Sequence, residues 1–139
     1  MKDLAKFYKG KKVFITGATG FKGSWLSYIL INFGSKVFNY SLKPHTRPSN
    51  FKLLKLDKKI KGFYKDIRDK KSLKKALSTV NPDIVFHLAA QPLVKKSYSE
   101  PRRTFETNIN GTINVLENSR NLKKLKSLVI ITSDKCYKN

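Results

Sequence analysis

A glycine-rich turn between a strand-like and a helix-like segment constrains this chain more than any other feature of its sequence. Gly17, Gly20 and Gly23 are spaced G-x-x-G-x-x-G, directly after KVFIT (12–16) and at the start of GSWLSYILINF (23–33). The first segment is rich in β-branched and aromatic residues, and the second is apolar over several helical turns. Only residues without a Cβ allow so tight a turn and let backbone N–H groups approach a pyrophosphate. The spacing favours a nucleotide-binding strand–turn–helix over a plain turn.

The rest of the chain alternates short apolar runs with helical patterns and contains no internal repeat or long linker. The further predicted strands are 36–42, 60–66, 83–90 and 127–133. The further predicted helices are 68–80 and one that starts at Pro101, with a helical turn at NFKLL inside the loop 44–55. Parallel neighbours need a crossover of about a dozen residues, and that crossover is right-handed. The alternation therefore predicts a Rossmann-like doubly wound parallel sheet of about five strands in the order 3-2-1-4-5.

Hydrophobic patterns predict which helical faces pack inward. Helix 23–33 is apolar on most sides, so we expect it to be well buried. Two other helices carry apolar residues near helical spacing, which are Leu73, Ala76, Leu77 and Val80 in one and Phe105, Ile109, Ile113 and Leu116 in the other. The residues before Lys12 are expected to be irregular.

Length and composition restrict the class of protein. With 139 residues, 40% of them hydrophobic, the chain has room for one domain with a core but not for two. A single cysteine, Cys136, excludes an internal disulfide, and no group of Cys, His and carboxylate residues has metal-ligand spacing. The basic start, MKDLAKFYKGKK, has no apolar stretch of signal-peptide or membrane-span length. These features predict a cytoplasmic protein without a metal site or a membrane anchor.

The formal net charge of +21 raises the question of a polyanionic partner. The basic residues are scattered, however, and 25 are Lys against 5 Arg, whereas recognition of bases and phosphates relies on the bidentate fork of Arg. Segments such as KKSLKK and LKKLK have the pattern of solvated helix faces. A nucleic-acid partner is therefore not expected.

The chain resembles the CDP-glucose 4,6-dehydratase family of the extended short-chain dehydrogenase/reductase superfamily in four motifs: TGATGFKGSWLS, PDIVFHLAAQPLV, TFETNINGT and TSDKCY. The resemblance covers nearly the whole chain, from Lys11 to Tyr137. It implies an NAD-dependent lyase acting on a CDP-sugar, in which hydride leaves sugar C4, water is eliminated across C5 and C6, and the same hydride returns to C6. It also implies that residues 1–139 are an NAD-binding Rossmann-like domain without the substrate domain, and that full-length relatives are homo-oligomeric.

By this resemblance, the glycine turn and the ends of two later strands surround NAD. The implied contacts to the phosphates are Gly17, Thr19, Gly20, Phe21, Lys22 and Gly23. The implied contacts elsewhere on the cofactor are Leu88, Ala89, Ala90, Asn108 and Thr132, of which Asn108 also matches a position that braces the catalytic segment. Lys22 equally suits a solvated helix start, and the alanines equally suit plain packing. His87, inside an apolar strand, is expected to be a hydrogen-bonded core residue.

KDIRD matches the segment that holds adenine in the superfamily. The resemblance implies that Asp66 accepts a hydrogen bond from the exocyclic amine while Ile67 offers its backbone. An equal alternative is that Asp66 caps the helix beginning near Asp69. At the end of the second strand, where an acidic residue usually binds the ribose 2′-hydroxyl, the chain has YSLKP. The expectation of NAD instead of NADP therefore rests on the resemblance alone.

Ser133, Asp134 and Lys135 follow the fifth strand, at the edge of the sheet where ligands bind. By resemblance, Asp134 is the acid for the departing C6 hydroxyl and Lys135 is the base for the C5 proton. Ser133, or Thr132 behind it, is a hydrogen-bond partner of the C4 hydroxyl. An amine acts as a base here only if burial or nearby cations lower its pKa. The alternative is an ordinary polar turn after a strand.

Oxidation at C4 also needs a base, which in the superfamily is the Tyr of a Tyr-x-x-x-Lys motif on the next helix. Tyr8 is followed by Lys12 but precedes the first strand, and no other tyrosine of the chain has a Lys four residues on. We therefore expect half of an active site: little or no turnover by this chain alone, weak NAD binding, and an open sheet edge after the fifth strand. The remaining alternatives are a nucleotide-sugar epimerase or another sugar-nucleotide dehydratase, a non-catalytic NAD-binding module, and a basic nucleic-acid-associated protein.

Overall fold

Five short strands form the centre of the computed structural model, which describes residues 2–133. The strands are β1 (Lys12–Thr16), β2 (Lys36–Ser41), β3 (Lys61–Tyr64), β4 (Ile84–His87) and β5 (Ser127–Ile130). Every neighbouring pair is parallel, and the order is β3-β2-β1-β4-β5. The predicted Rossmann-like topology is confirmed. Within the described residues β5 pairs with β4 alone.

One helix precedes β1, and the others lie in the crossovers between the strands. They are α1 (Lys2–Tyr8), α2 (Phe21–Asn32), α3 (Asn50–Leu53), α4 (Lys70–Val80), α5 (Val94–Ser99), α6 (Pro101–Phe105) and α7 (Gly111–Ser119). A 3-10 turn, Leu56–Lys58, follows α3, and a π-helical turn, Glu106–Asn110, joins α6 to α7. Within residues 2–133, no helix is both long and apolar enough to cross a membrane.

The sequence-based prediction missed two helices. The chain start, expected to be irregular, is the helix α1, and α5 was not anticipated at all. Neither helix contains a buried residue, so neither carries a strong hydrophobic pattern that marks it in the sequence. The predicted strand 83–90 ends at His87, and the residues after it form the loop that faces the glycine turn.

Alternate side chains of β1 enter two separate hydrophobic cores, because successive residues of a strand point to opposite faces of the sheet. Val13 and Ile15 pack with Leu30 of α2 in one core. Phe14 packs in the other core, which contains the predicted α4 stripe of Leu73, Ala76, Leu77 and Val80. The burial of that stripe is confirmed. With both faces covered, β1 is buried from Val13 onwards and positions the turn that follows it.

The expectation that α2 is well buried is wrong for three of its large side chains. The helix buries Gly23, Ser24, Ser27 and Leu30, whereas Phe21, Trp25 and Ile29 are exposed. The Oγ atoms of Ser24 and Ser27 donate to helix carbonyls, so they need no solvent. The start of the helix approaches the glycine turn too closely for a side chain at Gly23, and Ser24 and Ser27 continue this inner face with small residues. Further along the helix, Leu30 enters the core.

In the long helix after Pro101, the predicted inner face and the observed one also differ. Its predicted apolar stripe, Phe105, Ile109, Ile113 and Leu116, lies on the exposed side. The buried residues are instead Gly111, Val115 and Ser119 of α7. A Cβ at Gly111 would lie 2.8 Å from Ile67 Cγ2, which explains why this contact requires glycine. In both helices the closest packing is made by the smallest residues.

The small inner face of α2 generates a stability prediction. Ser27→Leu adds a large side chain at a fully buried position, and we expect it to lower the free energy of unfolding by about 1 to 3 kcal/mol. Ile29→Gln on the exposed face of the same helix is the control, with an expected change below about 0.5 kcal/mol. Urea denaturation of both variants measures the difference. A larger loss for Ile29→Gln than for Ser27→Leu would contradict this packing.

Candidate functional site at the carboxyl ends of the strands

The backbone at Gly17 turns directly against the end of β4. Gly17 has a φ of +74° and donates its N–H to Tyr40 O at 3.1 Å. A Cβ at this position would lie 2.7 Å from both Leu88 C and Ala89 N. Glycine is thus required here both by the left-handed conformation and by the neighbouring peptide. The contact brings the turn and the loop after β4, both predicted to line the site, into direct apposition.

The first turn of α2 packs on the glycine turn itself. A Cβ at Gly23 would overlap the carbonyl oxygen of Gly17 and lie 2.7 Å from Ala18 Cα. Gly20 N donates to Gly17 O at 3.0 Å, and Ser24 Oγ donates to Gly20 O at 2.7 Å. The helix therefore begins as close to the central strand as backbone atoms allow.

The N-terminus of α2 has no side-chain cap. Gly20, at the N-cap position, offers no side-chain acceptor, so the N–H groups of Phe21, Lys22 and Gly23 have no partner within the helix. By contrast, Asp69 caps α4 through Ser72 N at 3.0 Å. Phe21 and Lys22 are exposed. Free amides, the positive end of the helix dipole and a lysine at the same place suit a diphosphate, which is a strong acceptor of hydrogen bonds.

Thr19 connects this turn to the end of β2. Its Oγ1 donates to Leu42 O at 2.9 Å, one residue past the strand. Together with the bond from Gly17 N to Tyr40 O, this holds the carboxyl ends of β1 and β2 at a fixed separation. Thr19 was predicted as a phosphate contact, and the structure gives its hydroxyl this bracing bond.

A buried hydroxyl ties the end of β1 to the loop after β4. Thr16 Oγ1 accepts from Leu88 N and Ala89 N, each at 3.2 Å, and lies 2.6 Å from His87 Nδ1. Because both amides are donors, the hydroxyl proton is left for the imidazole, and Thr16 donates to Nδ1. Nδ1 is therefore the unprotonated nitrogen of His87.

The other nitrogen of His87 continues the network toward the long helix. His87 Nε2 lies 3.0 Å from Thr112 Oγ1, and Thr112 Oγ1 donates to Asn108 O at 2.7 Å. Nε2 thus carries the proton and donates to Thr112. Burial lowers the pKa of His87 to about 4, so the ring is neutral at neutral pH. The prediction of a hydrogen-bonded core residue is confirmed, with named partners on two elements.

Asn108 binds the loop after β4 through its side-chain amide. Its Oδ1 accepts from Gln91 N at 2.8 Å, and its Nδ2 donates to Gln91 O at 3.2 Å. Gln91 Nε2 in turn donates to Thr104 Oγ1 at 3.0 Å. The side chain of Asn108 is thereby committed to positioning the 88–91 loop, in which Ala90 is exposed and Ala89 half-buried.

Asp66 is held by an arginine two residues further on. Its Oδ2 forms an ion pair with Arg68 Nη2 at 2.8 Å, and its Oδ1 accepts from Arg68 N at 2.9 Å. Arg68 also contacts Glu106 Oε2 at 3.1 Å, which links this loop to the π-helical turn. The hydrogen bond from the Arg68 side chain holds the pKa of Asp66 below its ordinary value. The alternative that Asp66 caps the following helix is wrong, because the cap is Asp69.

Ile67 is buried between these two charged residues and rests on Gly111. Its carbonyl accepts from Asn114 Nδ2 at 3.2 Å. Tyr40 supports the same loop, because its hydroxyl donates to Asp66 O at 3.1 Å. Burial, followed by the charges of Asp69 and Asp66, raises the pKa of Tyr40, so the phenol stays a donor.

The residues after β5 lie at the same edge of the sheet. Ile131 N donates to His87 O at 3.0 Å, which extends the pairing with β4 by one residue. Thr132 and Ser133 follow and are exposed. Asp134 and Lys135 lie outside the described residues. Of the three predicted catalytic residues, the structure therefore places Ser133 alone, beyond the end of β5.

Sequence reasoning missed several residues that organise this edge. They are Thr16, Arg68, Gln91, Thr104, Glu106, Gly111 and Thr112. A weak signal existed for one group, since Thr104, Asn108 and Thr112 recur every four residues and share a helix face. Within residues 2–133, no cluster of His, Cys, Asp and Glu has metal-binding geometry.

The parallel sheet and its glycine turn define a Rossmann-like nucleotide-binding domain. Residues 14–138 match the family model described as GDP-mannose 4,6 dehydratase. The chain therefore belongs to that dehydratase family. A CDP-glucose 4,6-dehydratase of Salmonella typhimurium is 47% identical over 96% of this chain. The predicted resemblance is thus confirmed.

Two solved structures share the fold. An epimerase of Methanothermobacter thermautotrophicus superposes over 99% of this chain with a TM-score of 0.81 and 26% identity. A UDP-glucose 4-epimerase of Thermus thermophilus, in complex with NAD, covers 84% of this chain with a TM-score of 0.72 and 33% identity. The chain spans 37% of the Salmonella protein, 39% of the Methanothermobacter chain and 36% of the Thermus chain.

The close approach at Gly17 generates a paired mutational prediction. Gly10 has nearly the same φ, +76°, but no atom within 4 Å of an added Cβ. Gly10→Ala is therefore expected to cost only the strain of the left-handed conformation, about 1 to 2 kcal/mol. Gly17→Ala adds an overlap with the Leu88–Ala89 peptide and is expected to cost a further 1 to 3 kcal/mol or so. Chemical denaturation of both variants measures this, and equal losses would contradict the contact.

The neutral state of His87 predicts a specific pH dependence of stability. An unfolded chain protonates this residue near pH 6.5, whereas the folded chain does so only at about 4. The stabilisation is therefore complete above pH 6.5 and is lost as the pH falls from 6.5 to 4, by about 3 kcal/mol in total. Gln does not titrate, so over the same pH interval the free energy of unfolding of His87→Gln is expected to fall by about 3 kcal/mol less than that of the wild type.

Denaturation curves at several pH values for wild type and His87→Gln measure the effect of His87 by difference. His45→Gln is the matched control, since His45 is exposed and the chain contains two histidines. The control is expected to follow the wild-type profile. Parallel profiles for wild type and His87→Gln would show that the imidazole is not held neutral.

Proposed function

We propose that this chain, residues 1–139, is the cofactor-binding N-terminal domain of an NAD-dependent nucleotide-sugar 4,6-dehydratase that converts CDP-glucose to CDP-4-keto-6-deoxyglucose. The observation that carries the proposal is the uncapped N-terminus of α2, which begins at a glycine turn pressed against the end of β4. A diphosphate supplies the acceptors that these amides lack. The 47% identity to a CDP-glucose 4,6-dehydratase supports the substrate class.

The residues at the strand ends fit a nicotinamide adenine dinucleotide. Gly17, Gly20 and Gly23 leave room for the pyrophosphate, with Thr19, Phe21 and Lys22 around it. On the adenine side, Asp66 presents an ionised carboxylate that Arg68 orients, and a carboxylate retains acceptor positions beyond those that Arg68 occupies. On the nicotinamide side, small Ala89 and Ala90 leave the end of β4 open, while Leu88 and Asn108 hold that loop and Thr132 lies beyond the neighbouring strand. The NAD in the Thermus relative supports the cofactor assignment.

NAD supplies a hydride acceptor for sugar C4 and a hydride donor for C6. The chain's own residues would move the protons of the elimination. We assign Asp134 as the acid for the C6 hydroxyl, Lys135 as the base for the C5 proton and Ser133 as a hydrogen-bond partner of the C4 hydroxyl. The position of Ser133, directly beyond β5 at the ligand-binding edge, supports this assignment.

A nucleotide-sugar epimerase is the second candidate, and the likeness to epimerase structures favours it. An epimerase needs the same cofactor but no acid–base pair for an elimination. Ser-Asp-Lys after β5 supplies such a pair and favours the dehydratase. In either case this domain binds the dinucleotide.

Calorimetric titration with NAD+ tests the cofactor assignment. We expect the folded chain to bind NAD+ with a dissociation constant of order 0.1 to 1 mM. Gly23→Ala pushes a methyl group into the Gly17 carbonyl and is expected to weaken binding by at least about tenfold. Gly10→Ala, at the opposite end of β1, is the control and is expected to bind normally. The absence of heat with millimolar NAD+, for folded protein, would overturn the proposal.

A comparison of ligands provides the same test without a variant. ADP carries the diphosphate and AMP does not, so we expect ADP to bind about tenfold more tightly than AMP to the wild-type chain. Equal affinities for ADP and AMP would contradict the binding of the diphosphate by the first amides of α2.

The adenine contact predicts a base preference. If Asp66 accepts from the exocyclic amine, NAD+ binds about tenfold more tightly than its hypoxanthine analogue, which carries a carbonyl in place of that amine. Asp66→Ala is expected to abolish this ratio, and Asp3→Ala on α1, with the same change of charge, is expected to preserve it. Competition titrations with the two dinucleotides measure the ratio. An unchanged ratio in Asp66→Ala would contradict the assignment of Asp66.

A further inference from the structure

The amino ends of the five strands form a lysine-rich edge of the sheet, opposite the candidate functional site. Because every strand is parallel to its neighbours, the segments that lead into the strands meet at this one edge. Together they contain ten lysines, no arginine and two carboxylates. These segments, which we call the lysine edge, are 9–12, 34–36, 57–61, 81–83 and 121–126.

Backbone hydrogen bonds place lysines of successive segments side by side. Lys36 N donates to Lys11 O at 2.8 Å, Asp83 N donates to Lys12 O at 2.9 Å, and Lys126 N donates to Asp83 O at 2.8 Å. Lys36 and Lys126 are exposed. Neighbouring strands lie about 4.8 Å apart, which is less than the distance of about 8 Å over which physiological salt screens a charge. The fields of adjacent lysines therefore add.

Groups of the protein itself neutralise only a small part of this charge. Within residues 2–133 the ion pairs all use arginine, so none of the ten lysines has a carboxylate partner of that kind. Asp83 Oδ2 accepts from the backbone N–H of Lys12 at 2.8 Å. The helices α2, α4 and α7 end at this edge, and each end carries about half a negative charge. Lys12 Nζ already uses one of these ends, since it donates to Val80 O at 3.0 Å.

The helix α1 adds an apolar patch beside the lysine edge. Its side chains Leu4 and Phe7, one turn apart, are 52% and 56% exposed. The helix is tied to the start of β2, because Ser35 Oγ donates to Tyr8 O at 2.9 Å. Lys11 Nζ lies 4.9 Å from the centre of the Phe7 ring, so the apolar patch and the lysine edge are in contact. Apolar side chains bordered by lysines are typical of surfaces that bind at the membrane interface.

Two features favour a lipid surface over a nucleic acid as the anionic partner. The lysine edge contains no arginine, and an array of lipid headgroups requires only point charges, whereas base recognition relies on the arginine fork. In addition, the Lys11 ammonium covers one face of the Phe7 ring, which reduces the surface on which a base would stack.

We propose that the lysine edge and α1 dock the protein reversibly on an anionic lipid bilayer. The lysines contact headgroup phosphates, while Leu4 and Phe7 enter the boundary between headgroups and acyl chains. Interfacial binding of this kind needs no membrane-spanning helix. The candidate functional site lies at the opposite edge of the sheet and stays accessible on the bound protein. The inference is independent of the proposed function, because it uses no residue of the glycine turn.

Co-sedimentation of the full chain with lipid vesicles tests the inference. We expect vesicles of phosphatidylcholine with about one-third phosphatidylglycerol to bind at least about tenfold more tightly than vesicles of phosphatidylcholine alone. Lys36→Gln/Lys126→Gln is expected to weaken binding to the anionic vesicles by at least about tenfold, since each lysine near the surface contributes about fivefold. The matched control, Lys74→Gln/Lys95→Gln, removes two charges from exposed positions outside the lysine edge. It is expected to change the affinity by less than about threefold.

A second pair of variants tests the apolar patch at constant charge. Leu4→Gln/Phe7→Gln is expected to weaken binding to the anionic vesicles by about threefold or more, because the apolar contact with the bilayer is lost. Ile113→Gln/Leu116→Gln, on the exposed face of α7, is the control and is expected to bind as the wild type does.

Three outcomes would overturn the inference. The first is equal affinity for the two kinds of vesicle. The second is an equal loss of affinity in the two lysine double variants, because net charge alone would then explain the binding. The third is unchanged vesicle binding in Leu4→Gln/Phe7→Gln together with tighter binding of the wild-type chain to a single-stranded oligonucleotide, which would indicate a nucleic acid as the partner.

Discussion

The contact between Gly17 and the Leu88–Ala89 peptide is the constraint on which the rest of the site depends. The backbones at the ends of two adjacent parallel strands touch there without an intervening side chain. Because the turn packs directly against the end of β4, α2 begins next to the carboxyl end of the central strand β1. Its first amides therefore face the edge of the sheet where ligands bind. The hydroxyl of Thr16 also accepts hydrogen bonds from the backbone N–H groups of Leu88 and Ala89. Displacing this one peptide would disturb all three features together.

Close backbone packing also explains which helical faces turn inward. In α2 and α7 most buried positions are glycine or serine, and each helix buries one larger aliphatic residue, Leu30 and Val115 respectively. The exposed positions include Trp25, Ile29, Ile113 and Leu116. The α4 helix, whose inner face carries leucines and a valine, follows the ordinary rule. The two helices that carry or contact the candidate site therefore pack closely through small residues, whereas α4 packs through large apolar side chains.

The topology was predictable because it depends on local patterns. The glycine spacing and the alternation of strands with helices are visible within short windows, and the sheet order follows from them. The face of α2 was not predictable, because a hydrophobic pattern does not reveal how closely two backbones approach. The partner of Asp66 was not predictable either, because Asp66 and Asp69 both lie just before α4 and either could have capped the helix. In the structure Asp66 pairs with the Arg68 guanidinium, and Asp69 is the cap. The network around His87 joins residues 71 and 25 positions apart, beyond the reach of any local signal.

The π-helical turn at 106–110 sets the phase of the long helix on either side of it. Side chains four residues apart on an α-helix drift around its axis by roughly 40° at each step, because one turn takes 3.6 residues. The wider π turn takes up that drift, so Thr104, Asn108 and Thr112 all reach the end of β4. Removing a single residue there would restore a regular α-helix and with it the drift, so Thr104, Asn108 and Thr112 would no longer share one direction toward the end of β4. This segment is therefore intolerant of insertions and deletions, even though most of its residues are exposed and open to substitution.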